Sequence, residues 1–203
     1  GSDDLIELVG LEDGEGSVGR LGVGVGDAHY DPVVAGHRLG VDAEALKAFG
    51  RDRIITPDDV RGARATLREG VTAGGWPTVE AAKGKVLLVL DANPRVEDAY
   101  RAGHPSLKGR VMFGLYAEDQ AEAAVFNIQD PRPEEARIKA LVARGFLVRT
   151  RSDADTTEAR NHDLNRLGVA VRSGAQIVST DYYPGAPDPL GLKFEVKPAW
   201  FGK

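Results

Sequence analysis

The side chains of this 203-residue chain best suited to chemistry stand where its apolar runs stop. Those positions are Glu7, Asp91 with Asn93, Tyr116, Asn127, Arg149 with Arg151 and Asp153, and Asp181 with Tyr182. Guanidinium forks beside carboxylates suit a phosphate ester. The forks bind non-bridging oxygens, while the acids hold a divalent cation or the hydroxyls of a polyol. A plainer reading competes with this one, because strand ends meet solvent and are polar in any α/β protein. His29 and His37 flank Asp31, and two imidazoles with a carboxylate between them can ligate a metal or move protons near neutrality. The competing reading is a pair of exposed loop histidines. His104 falls between a predicted helix and a predicted strand, where a structural role is expected, and His162 reads as a surface residue of a charged helix.

Other motifs subtract possibilities. The run from Gly22 through Gly24 to Gly26 lacks the third glycine of a dinucleotide fingerprint and opens no predicted helix, so it reads as loop. No nucleophile elbow, Walker loop or His-Glu-x-x-His motif occurs, which lowers serine hydrolases, P-loop enzymes and zincins.

The elements that must position these residues alternate in type. Residues 85–91 form a continuous apolar run with a polar end, the pattern of a strand covered on both faces. Further strands are predicted at 5–9, 110–115, 125–128, 146–150 and 175–180. Helices are predicted at 43–49, 57–73, 78–84, 95–102, 118–124, 133–144 and 157–173. Thr56-Pro57-Asp58-Asp59 gives the second helix an N-cap, a first-turn proline and an acid three residues beyond the cap. Such alternation predicts an α/β fold with parallel pairing and right-handed crossovers. A doubly wound sheet and a (β/α) barrel both satisfy it. Residues 10–40 hold nine glycines and little periodicity, so the chain reads as a first strand plus long loop over 1–42, followed by βα units over 43–203, one domain overall.

Composition narrows the partners. The 31 acidic residues outnumber 26 basic ones for a net charge of −5, and the basic residues are scattered, which argues against nucleic acid. With no cysteine there is no disulfide, thiolate nucleophile or iron–sulfur cluster. No run of eighteen apolar residues occurs. Gly1-Ser2 reads as a cloning remnant with no signal peptide after it.

Six segments resemble the bacterial calcium-dependent phosphoinositide-specific phospholipase C-like proteins, members of a superfamily of barrel phosphodiesterases. They are 52–62 (DRIITPDDVRG), 75–78 (GWPT), 84–91 (GKVLLVLD), 103–113 (GHPSLKGRVMF), 145–156 (GFLVRTRSDADT) and 174–182 (GAQIVSTDY). They stand in the family's order and span about two thirds of the chain. The resemblance implies a TIM-type (β/α) barrel that cleaves a phosphodiester by metal-assisted general acid–base catalysis, through attack of the inositol 2-hydroxyl. It implies Ca²⁺ as Lewis acid, a phosphoinositide or related substrate, transient contact with a membrane surface, and a secreted protein. Glu7, in a segment similar to the family's third strand, is then the metal ligand. Asp91, Arg149, Arg151, Asp153, Asp181 and Tyr182 become substrate-binding residues at the barrel mouth.

On this alignment the first two βα units are missing, and about six strands are present. Those units carry the family's histidine-bearing loop and acidic ligands, so His29 and His37 become candidates to replace the catalytic histidines. A missing N-terminal segment would complete the barrel, and a typical barrel of roughly 250 residues makes 203 a shortfall. Two alternatives follow: a non-catalytic barrel remnant that binds a phosphorylated polyol or a protein, and a glycerophosphodiester phosphodiesterase.

Overall fold

A computed structural model describes the backbone of residues 5–10 and the whole of residues 40–197. The chain divides into two compact units, Gly1–Val125 and Phe126–Lys203.

In the first unit, β1 (Leu5–Gly10), β2 (Ile54–Ile55), β3 (Val86–Asp91) and β4 (Phe113–Gly114) share one sheet. The apolar run of β3 is its spine, with Leu87, Leu88, Val89 and Leu90 all buried. β2 lies parallel to the first two residues of β3, and β4 lies parallel to Val89 and Leu90. β1 departs from the expected all-parallel order. It runs antiparallel to β3, from Leu5 opposite Asp91 to Gly10 opposite Val86. Apolar patterning records which residues are covered. It does not record strand direction, and an antiparallel ladder satisfies the backbone groups equally well.

Five helices accompany this sheet: α1 (Val41–Phe49), α2 (Pro57–Arg61), α3 (Leu67–Thr72), α4 (Val79–Ala82) and α5 (Pro94–Arg101). The single helix expected over 57–73 is two. Gly62 ends α2 at a φ of 55°, and Thr66 begins α3 by accepting the Glu69 N–H at 3.1 Å while the Glu69 carboxylate accepts the Thr66 N–H at 3.3 Å. α3 then folds back onto α2 so closely that a Cβ on Gly70 would stand 2.5 Å from the Val60 carbonyl oxygen. The helix expected over 118–124 is a series of turns, in which the buried Glu122 accepts the Ser106 N–H at 2.8 Å.

α1 has no buried residue. Asp42 in its first turn holds it, accepting the Tyr100 hydroxyl, the Arg110 guanidinium at 3.1 Å and the Val111 N–H at 3.2 Å. The Tyr100 oxygen accepts the Met112 N–H at 2.9 Å. Burial, then the neighbouring Asp42, raises the Tyr100 hydroxyl far above the ordinary tyrosine value.

In the second unit, β5 (Val125–Ile128), β6 (Leu147–Arg151) and β7 (Ile177–Ser179) form a sheet in that order, with β6 and β7 parallel. The helices α6 (Glu135–Ala143) and α8 (Asn165–Ser173) pack on β6, while α7 (Thr157–Asn161) precedes α8. One helix was expected over 157–173. His162, left-handed at a φ of 48°, splits it. The core gathers Ile138, Leu141 and Val148 around Phe146, whose ring meets Phe126 edge-on at 5.2 Å.

Candidate functional site

Side chains alternate across a strand, and β6 uses the two faces differently. Val148 and Thr150 are fully buried, on the face that α6 and α8 cover. Arg149 and Arg151 occupy the opposite face and are half-buried. In register with them on β7 stand Ile177 and Ser179. The Arg149 Nη1 donates to Asn127 Oδ1 at 2.9 Å and to Gln129 Oε1 at 3.1 Å. The Arg151 Nη2 donates to Asp181 Oδ2 at 3.1 Å, linking β6 to the segment that leaves β7. Two guanidiniums two residues apart on one strand face stand roughly 7 Å apart at their Cα atoms, close enough for both forks to reach a single phosphate group.

The loops beyond these strands are stitched together. Asp153 is fully buried, and its carboxylate accepts the Asp181 N–H at 3.0 Å and the Ser152 hydroxyl at 2.6 Å. Ser152 donates its own N–H to the Ser179 carbonyl at 3.0 Å. The Tyr182 hydroxyl donates to the Asp155 carbonyl at 2.9 Å, and its ring meets Phe194 edge-on at 5.2 Å. Burial, then the charges of Asp153 and Asp181, raises the Tyr182 hydroxyl above its ordinary value.

Five of the residues singled out in the sequence thus share the carboxyl edge of one sheet: Arg149, Arg151, Asp153, Asp181 and Tyr182. That edge is where parallel α/β sheets bind ligands. Asp91 ends β3 in the first unit and is half-buried. Glu7 lies in β1 opposite Val89, with only its backbone described. His29 and His37 lie outside the described residues. Of the other histidines, His162 is exposed, and the His104 ring nitrogen bonds the Lys108 carbonyl at 2.8 Å.

Sequence reasoning missed the buried glutamates, and two of them, Glu97 and Glu158, have shifted carboxyls. Glu97 in α5 is 6% exposed and accepts the Leu115 N–H at 3.3 Å. Burial pushes its carboxyl up to about 7, against the pull of the Leu115 and Ala92 N–H groups and with a further push from Asp91 and Asp98. A carboxyl that titrates there, close to Asp91 at the end of β3, has the proton affinity of a general acid or base. Nothing in the sequence marks it, because a Glu in a charged helix reads as surface. Glu158 is 2% exposed, and its carboxyl is held below the usual range. Burial pushes that carboxyl upward, but the Ala154 N–H at 2.9 Å and the Arg166 guanidinium at 3.3 Å outweigh it. Arg166 also donates to the Gln129 carbonyl at 2.7 Å, so the loops after β5 and β6 share one buried anchor.

Among the described residues, no group of three or more His, Asp or Glu side chains converges to hold a metal ion. No described helix is long and apolar enough to cross a membrane.

Comparison with known proteins adds the following. The family model described as "Phosphoinositide phospholipase C, Ca2+-dependent" matches residues 31–197. The match takes in His37, Asp91, Arg149, Arg151, Asp153, Asp181 and Tyr182 and leaves out Glu7 and His29. A Ca²⁺-dependent phosphatidylinositol-specific phospholipase C from Streptomyces antibioticus is similar in structure, with a TM-score of 0.52 and 20% identity over 71% of this chain. At that identity the likeness speaks for the fold. The chain spans 58% of the Streptomyces protein. No curated protein matches it.

Proposed function

Because the chain belongs to the calcium-dependent phosphoinositide phospholipase C family, we propose that its second unit binds the phosphodiester of a phosphoinositide and that the protein cleaves it by general acid–base catalysis. The observation that carries this reading is the pair Arg149 and Arg151 on the face of β6 opposite Val148 and Thr150, inside the matched residues. Their forks take the non-bridging oxygens, and Asp181 and Tyr182 meet the polyol hydroxyls. Asp91, at the end of β3, is the substrate-binding candidate of the first unit taken by itself. His29 and His37 form the acid–base pair: one removes the proton of the inositol 2-hydroxyl as its oxygen attacks phosphorus, and the other protonates the departing glycerol oxygen. The product is a cyclic inositol phosphate. In this reading the strands belong to a TIM-type barrel that a preceding segment completes, and the protein is secreted.

The family and the Streptomyces neighbour are described as calcium-dependent, and Glu7 is the proposed ligand from this chain. When bound, calcium would polarise the phosphoryl group and lower the pKa of the attacking hydroxyl, while the steps above follow this chain's own side chains. Contact with a lipid surface is supported by Tyr183 and Leu190, each 54% exposed, in a segment closed by the Val196 N–H donating to the Tyr182 carbonyl at 2.7 Å.

The test is release of phosphorylated inositol from phosphatidylinositol vesicles, with calcium or with chelator, beside a glycerophosphodiester panel. Expected is calcium-dependent release that Arg149→Ala and Arg151→Ala each lower. Absence of release with calcium present overturns the lipase reading. A second reading is a non-catalytic binder of a phosphorylated polyol, which keeps the guanidinium pair of β6 and drops the acid–base step. It requires micromolar binding of inositol 1-phosphate with zero turnover.

A further inference from the structure

We infer that Asp153 is a positioning residue: buried behind the β6 face, it fixes the backbone of Asp181, whose carboxylate in turn aims the Arg151 guanidinium toward the phosphate. The inference rests on the phosphate-binding reading above. Asp153 itself is fully buried, so it acts through its neighbours. One carboxylate oxygen accepts the Asp181 N–H at 3.0 Å, and the other accepts the Ser152 hydroxyl at 2.6 Å. Ser152 is locked to β7 through its N–H, which donates to the Ser179 carbonyl at 3.0 Å and leaves its hydroxyl proton to Asp153. Asp181 is exposed and lies beyond the end of β7, so no ladder of the sheet fixes it. Its N–H bond to Asp153 sets where its side chain starts, and that side chain ends on Arg151 Nη2 at 3.1 Å. Long arginine side chains lose much rotamer freedom when they bind, and a fork already held in place loses less.

The experiment measures the affinity of the full chain for inositol 1-phosphate by calorimetry, with thermal unfolding followed for every variant. Asp153→Ala is expected to weaken binding roughly tenfold, the scale of one lost hydrogen bond to a charged group. Asp153→Asn keeps an oxygen that accepts the Asp181 N–H and should stay within about threefold of the parent, because geometry rather than charge is the requirement. The decisive readout is coupling. In an Arg151→Ala background, the loss caused by Asp153→Ala should shrink to the smaller part carried by the Asp181 contact with the polyol, whereas general loosening of the fold would weaken both backgrounds alike. If Asp153→Ala does not fold, Ser152→Ala, which loosens Asp153 while leaving Asp181 intact, should give a smaller loss that also shrinks without Arg151. Equal losses in both backgrounds, or an unchanged Asp153→Ala, overturn the inference while leaving the binding site standing. A parent chain that neither binds inositol 1-phosphate nor releases it from phosphatidylinositol overturns the site reading, and the inference with it.

Discussion

The central strands of the two units handle their polar ends in opposite ways. β3 is apolar along its length and meets polarity only at Asp91, whereas β6 turns Val148 and Thr150 inward and presents Arg149 and Arg151 on the other face. The buried glutamates follow suit. Glu97, beside other acids and backbone N–H groups, is pushed up to about 7, while Glu158, against Arg166, is held low. Below about pH 7 Glu97 therefore favours its protonated form, where Glu158 keeps an ion pair. Burial alone does not decide the state of a carboxyl; the N–H donors and the guanidinium that meet Glu158 outweigh it, and those that meet Glu97 do not.

Breaking the ion pair should have the largest effect. Arg166→Met leaves Glu158, 2% exposed, without its closest guanidinium, and is expected to destabilise the protein by about 3–4 kcal/mol at neutral pH in denaturant titrations. Glu158 stabilises the fold above its ordinary value of 4.5, and that contribution is lost as pH falls through its lower folded value. The penalty should therefore shrink in acid. If it persists unchanged at pH 3, the two glutamates do not differ as described.

Glu97 should show the reverse dependence. The folded state keeps a proton that the unfolded state releases between 4.5 and about 7. Stability should then fall across that window by roughly 3 kcal/mol and stay level above it. Glu97→Gln should abolish the fall and leave the variant more stable than the parent at pH 8, as read from paired unfolding curves.

Smaller effects sharpen the contrast. Tyr100→Phe removes the hydroxyl between Asp42 and the Met112 N–H and should cost about 1–2 kcal/mol. Arg151→Ala should cost no more than about 0.5 kcal/mol of stability, because its pair with Asp181 is part-exposed, yet weaken inositol 1-phosphate binding roughly tenfold. A large stability loss there would make the arginine-bearing face of β6 a structural surface instead.

Much of this layout was legible in the residues. Each predicted strand has an observed counterpart, because apolar runs bounded by glycine or acid are strong local signals. β2 was missed: Ile54 and Ile55 are too few to form a pattern. The break between α2 and α3 was readable after all, since Thr66 and Glu69 stand at capping-box spacing behind Gly62. The direction of β1 was not, because pairing direction is a tertiary choice. For the candidate site, the arginines and acids at the ends of β6 and β7 could be picked out by position. The burial of Asp153 could not, because it depends on Ser152 and Asp181 arriving from two loops. Glu97 was invisible for the same reason: its environment is made by Leu115, eighteen residues away.

The polar attachment of α1 bears on motion. A helix without a buried residue, tied through Asp42 to Tyr100, Arg110 and Val111, can lift away while the sheet of the first unit stays closed. Its amide protons should exchange with solvent through local opening on a far shorter timescale than those of β3, and a protease should nick it while the remainder stays intact. Asp42→Asn, which keeps an acceptor but loses the charge facing Arg110, should speed that exchange in α1 alone.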